Sequence, residues 1–123
     1  QPATWRGEVT DCPPSANVFM REHWSVRARL KRRWSLELFA AFHHDTPSKA
    51  IGKRRVRVVI TSKRARDHSN LWLAADKLIF DNLTSLGWIV DDSTKWIEPE
   101  VSGAVGEPRT VIEIWGERNG TGS

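Results

Sequence analysis

The chain has 123 residues, a net charge of +4 and a single cysteine, Cys12. That length suits one domain able to bury a core of its own. One cysteine rules out an internal disulfide and a cysteine-rich zinc site. No apolar run approaches the ~20 residues of a membrane helix, and no signal-peptide pattern opens the chain, so a cytoplasmic location without a membrane partner is expected.

In chain order, "TWRGEV" (4–9) reads as a short strand. "DCPPSAN" (11–17) follows, and its paired prolines fit neither a helix interior nor a central strand. From about Arg21 to His43 the pattern is helical: Trp24, Leu30, Trp34, Leu38 and Phe42 recur roughly every fourth residue, with arginines and a lysine between them. Trp24 and Trp34 are placed on the apolar face of that helix. "HDTPSKAIG" (44–52) is a loop. "KRRVRVVITSK" (53–63) alternates and is β-branched, as a strand with a basic start. Residues 69–86 form a second helix, closed by Gly87. "IVDDSTKWIEPEV" (89–101) turns into a strand that Pro99 assigns to an edge or a bulge. "VGEP" makes a turn, and "RTVIEIWG" (109–116) is the last strand. The order β-α-β-α-β-β predicts an α/β (α+β) single domain, two helices packed on a mixed four-stranded sheet. Its core spans about 4–116, with flexible tails at 1–3 and 117–123. The start at Gln1 and the "GTGS" end suggest trimmed or engineered ends. Asn82 and Asn119 match glycosylation sequons, which carry little meaning in an intracellular protein.

Charge is unevenly spread. Residues 21–66 carry a net +11 and residues 67–123 a net −6. A basic first half joined to an acidic second half points to a polyanionic partner with carboxylates nearby. On a regular helical wheel, Trp72, Ala75, Ile79, Leu83 and Leu86 share one face of the second helix. Asn70, Ala74, Lys77 and Asp81 lie opposite, and Asp76 falls roughly 120° from that polar row. Taken singly, Lys77 and Asp81 make an ordinary surface pair, Ser69 or Asn70 an N-cap, and Asp67 a dipole partner. Taken together, the basic tail Lys63, Arg64 and Arg66 is followed by Asp67, Lys77 and the pair Asp91–Asp92, and the carboxylates that flank the two ends of the helix can converge on one hard cation. Magnesium takes oxygen ligands and keeps waters that a phosphate displaces. The histidines, His43–His44 and His68 among them, lack finger-like spacing and cysteine partners, which argues against zinc.

Several stretches resemble the RusA-type Holliday-junction resolvases, small endonucleases of phages and prophages. The resemblance covers about residues 10–115. "PPSAN" (13–17) resembles the family's Pro-Pro-Ser-x-Asn, and "REHWSVRARLKRRW" (21–34) the helix after it. "RDHSN" (66–70) resembles Arg-Asp-x-Asp-Asn, "DKLIFDNLTSLGWIVDD" (76–92) its Lys-x-x-x-Asp-x-Leu…Gly…Asp-Asp stretch, and "RTVIEIW" (109–115) the closing strand. By position, Asp67 and Asp92 match catalytic aspartates and Lys77 the essential lysine. Ser69 stands where the family has another aspartate; a hydroxyl there can at best hold a metal-bound water, and Asp91 or Asp81 could compensate.

The resemblance implies Mg2+-dependent hydrolysis (Mn2+ a substitute) of phosphodiesters in four-way DNA junctions, in recombination and repair, by a homodimer. It implies Asp67, Asp92, Asp91 and Ser69 around the metal. Asn17, Arg21, Arg27, Lys63, Arg64, Arg66 and Asn70 are expected on the nucleic acid. The alternative is a junction-binding relative whose cutting is weakened or lost at Ser69.

Overall fold

The computed structural model describes residues 1–118; Asn119 and the closing "GTGS" lie outside the described residues. The elements are β1 (Trp5–Val9), α1 (Ala16–Arg21), α2 (Trp24–Ala41), β2 (Arg54–Ser62), α3 (His68–Ala75), a π-helical stretch (Asp76–Phe80), α4 (Asp81–Ser85), β3 (Ile97–Val105) and β4 (Arg109–Trp115). The strands form one mixed sheet in the order β1-β4-β2-β3. β2 pairs antiparallel with β4 and parallel with β3, and β1 pairs antiparallel with β4. The parallel pair needs a long crossover, which α3, the π stretch and α4 supply. Pro99 lies in β3, on the edge, where its missing N–H costs no ladder bond on the open side.

The alternation in β2 explains why one face of the sheet is dry. Val56, Val58 and Ile60 are buried and meet Ile112 and Ile114 of β4, Trp5 and Val9 of β1, and Ile97 and Val101 of β3. The helices cover this face through Trp34, Leu38, Leu71, Leu78, Ile79 and Leu83. Gly7 on β1 permits a close approach: a Cβ there would stand 2.5 Å from the Phe42 ring, so the ring packs where any side chain would collide.

The opposite face is charged, and here the uneven charge of the sequence is partly neutralised. Arg57 of β2 lies 3.0 Å from Glu100 of β3 and 3.6 Å from Glu113 of β4. Arg55 is 3.9 Å from Glu100 and stacks 4.4 Å from the Trp115 ring centre. Strand pairing thus sets acids of the second half against arginines of the first.

Two local expectations are corrected, and one arginine of the basic strand is buried. The helix expected from about Arg21 starts at Trp24, where His23 caps it by accepting from the Ser25 N–H, and a short helix that was not expected, α1, precedes it over Ala16–Arg21. Arg54 opens β2, at the basic start expected there. It is buried, donates to the Ser48 and Trp88 carbonyls at 2.6 and 2.8 Å, and stacks 4.6 Å from the Trp5 ring centre; burial lowers its pKa. Trp24 is 68% exposed whereas Trp34 is 1% exposed, because only the later turns of α2 lie over the sheet. No helix among the described residues is long and apolar enough to cross a membrane.

Candidate functional site

Three acids come together where the π stretch runs into α4 and the following segment returns. Carboxylate oxygens of Asp76, Asp81 and Asp92 lie within 4.8 Å of one another. Asp76 and Asp81 are half-buried and Asp92 is exposed.

The local backbone explains the meeting. In the π stretch the Asp81 N–H bonds to the Asp76 carbonyl, five residues back. One extra residue in the turn brings positions 76 and 81 to the same side, whereas a regular α-helix would set them about 140° apart. A wheel with a uniform turn therefore cannot include Asp76.

Asp92 is brought back by the helix end. Gly87 adopts φ +81°, the Trp88 N–H bonds to the Leu83 carbonyl and the Gly87 N–H to the Thr84 carbonyl. This pairing is a Schellman close, and it reverses the chain. Trp88 and Ile89 then anchor in the core, and Asp91 and Asp92 emerge at the surface.

The cluster is electrostatically strained. The pKa of Asp76 is raised by burial, then by its hydrogen bond with Asp92 and by the charges of Asp81 and Asp92; Lys77 opposes the rise. Lys31 of α2 pairs with Asp81 at 3.2 Å. Three close oxygen donors, one of them driven toward protonation by burial and then by its neighbours, form a hard set that could hold a divalent cation.

The other expected residues gather elsewhere. A cleft of about 540 Å3 is lined by Asn17, Lys63, Arg64, Arg66, Asp67 and Asn70, among others. Here the two motif stretches meet. Arg66 donates to the Pro13 carbonyl at 2.7 Å and Asn70 Oδ1 accepts from the Ala16 N–H at 3.1 Å, so both residues fasten the Pro-Pro-Ser segment to the start of α3. Asp67 caps α3, its carboxylate accepting from the Asn70 N–H at 2.8 Å. About 13 Å of helical rise separates it from Asp76, so the acids gathered with Asp92 are Asp76 and Asp81, not Asp67. Ser69 and Asp91 are exposed and outside the cluster. Arg21 donates to the Asn17 carbonyl at 3.2 Å.

A second, smaller groove of about 300 Å3 holds Arg27, Lys31, Lys77 and Asp81. The helix is also more enclosed than the wheel implies: Ala74, set on the polar row, is buried, and Trp72, set on the core face, is half-buried. The sheet covers one side of the helix and α1 and α2 cover another.

Sequence reasoning missed Asp76 and Lys31. The five-residue spacing of Asp76 and Asp81 is visible in the sequence, but it becomes a signal only once a π turn is known. Lys31 depends on how α2 packs. No histidine joins a metal-suited group among the described residues. No family model matches the chain, and no curated protein matches it.

Proposed function

We propose that the chain is a divalent-cation-dependent endonuclease that cuts branched, four-way DNA, as the RusA-type resolvases it resembles do. The observation that carries this reading is the trio Asp76, Asp81 and Asp92 within 4.8 Å, with Lys77 and Lys31 in the adjoining groove. The trio would hold Mg2+, with Mn2+ as a substitute. The bound ion supplies a polarised phosphate and a water of lowered pKa.

The chain's own groups do the rest. Lys77 neutralises charge that builds on the phosphate oxygens. Lys31 fixes the Asp81 carboxylate. Lys63 and Arg64, exposed on the cleft near Asp67, contact backbone phosphates and set the register without reading sequence. Arg66, Asn70 and Asp67 hold that cleft in shape. Paired cuts across a two-fold junction call for a homodimer.

A second reading, a junction-binding relative that does not cut, draws support from Ser69, which stands exposed where the resemblance expects an aspartate.

The deciding experiment is cleavage of a synthetic four-way junction with Mg2+ or Mn2+. Symmetric nicks are expected, abolished by EDTA and lowered at least about 100-fold by Asp76→Asn or Asp92→Asn. A junction left whole by the parent chain but bound in a salt-sensitive way favours the second reading. Loss of cutting in Asp67→Asn with full cutting in Asp76→Asn would return the metal to the set implied by the resemblance.

A further inference from the structure

Trp24 is the most exposed of the chain's large aromatic side chains, at 68%. It opens α2 immediately after its N-cap, and its ring centre lies 5.4 Å from that of His23. A single exposed aromatic is ordinary. What sets this one apart is its neighbours: the 300 Å3 groove it lines also carries Met20, Arg27, Lys31, Lys77 and Asp81. Three cations thus face one carboxylate beside an open indole, and that carboxylate belongs to the acid trio.

We propose that this groove receives one unpaired nucleotide of a DNA strand, with its base laid on Trp24 and its phosphate held by Arg27, Lys31 and Lys77. A flat indole offers stacking to any base, and the cations track the backbone, which is the pairing of features that single-strand sites use. In a duplex the bases cover one another, and no base face is free for Trp24 without unstacking. The volume lies at the low end for small-ligand sites, which suits one base with its phosphate and not a helix. The inference rests on the nuclease reading for the placing of the bound phosphate next to the trio; the binding itself does not require cutting.

The test is the affinity of the full chain for a short labelled oligodeoxythymidylate and for a fully paired hairpin, in EDTA at about 100 mM salt. Trp24→Ala should weaken oligonucleotide binding about 5- to 150-fold, Trp24→Phe should restore most of it, and hairpin affinity should move less than about twofold. Because Trp24 stands outside the core, circular dichroism of both variants should match the parent. A parent chain that binds no oligonucleotide, an alanine variant that binds it as tightly, or an equal loss on the hairpin each overturns the proposal. The two readings fail separately: oligonucleotide binding by a parent chain that leaves four-way junctions whole in Mg2+ or Mn2+ keeps the groove and removes the nuclease, whereas junction cutting by a parent whose Trp24→Ala variant binds the oligonucleotide as tightly keeps the nuclease and removes the groove.

Discussion

The side chain of Asp76 concentrates the physics of the site. Burial, the hydrogen bond with Asp92 and the charges of Asp81 and Asp92 raise its pKa, so the folded chain holds this proton more tightly than the unfolded chain does. Stability from this group is therefore complete below the ordinary value of 3.8 and is lost as pH rises through the raised folded value. In EDTA, Asp76→Asn should remove that loss. The variant should gain up to about 1 kcal/mol over the parent near neutral pH, a modest figure because water screens half-exposed carboxylates. Near pH 4 the gain should vanish. Urea titrations of both chains across this range read the difference, which cancels carboxyls such as Asp45, whose pKa Arg118 lowers. Equal pH slopes would mean the three acids do not repel. Millimolar Mg2+ or Mn2+ should raise the midpoint of the parent and not that of Asp76→Asn, since a ligand that binds only the folded state stabilises it.

At the level of elements, the π stretch decides the site, and Asn82 ties it down. This side chain is 4% exposed. Its amide donates to the Leu78 carbonyl at 2.8 Å and to the Lys31 carbonyl of α2 at 2.9 Å. Burial also closes Asn82 to glycosylation in the folded chain, despite its sequon. Asn82→Ala removes both of these hydrogen bonds and the tie to α2 and should cost about 1–3 kcal/mol, measured by chemical denaturation, and junction cutting should fall with it. The strands were legible in the sequence because period-two alternation in β2 and β4 survives packing, and Pro99 marked the edge. The helices were less so. The Arg21–His43 pattern found α2, but α1 was missed, since its six residues follow directly on the paired prolines and are too few to show a helical period. The wheel of the second helix failed at Asp76 because periodicity presumes the regular turn that the π stretch abandons.

For the molecule as a whole, charge in the sequence overstated the basic surface. Arg55 and Arg57 are matched by glutamates across the sheet, Arg54 is buried, and Arg33 pairs with Asp11 at 2.7 Å. Exposed Lys63 and Arg64 on the cleft remain. Replacing both with alanine should weaken junction binding at every sequence alike and lower the slope of log affinity against log salt by about 2, near one for each phosphate that is no longer neutralised. An unchanged slope would move the DNA off this cleft. The candidate site was half legible: Asp92, Lys77 and the cleft residues stand out by type and spacing, while the trio needed the fold to join a helix to the loop beyond it.

The antiparallel pairing of β1 with β4 has a further effect. Thr4 Oγ1 donates to the Gly116 carbonyl at 3.1 Å, and the Trp115 indole donates to the Gln1 carbonyl at 3.2 Å, so the first described residues are stitched to the strand at the far end of the sequence. A short linker from Gly116 back to Gln1 would close these neighbouring segments into a ring, reopened within the 44–52 loop. Such a circular permutant would leave the acids and the basic cleft in place while changing which segments leave the ribosome first.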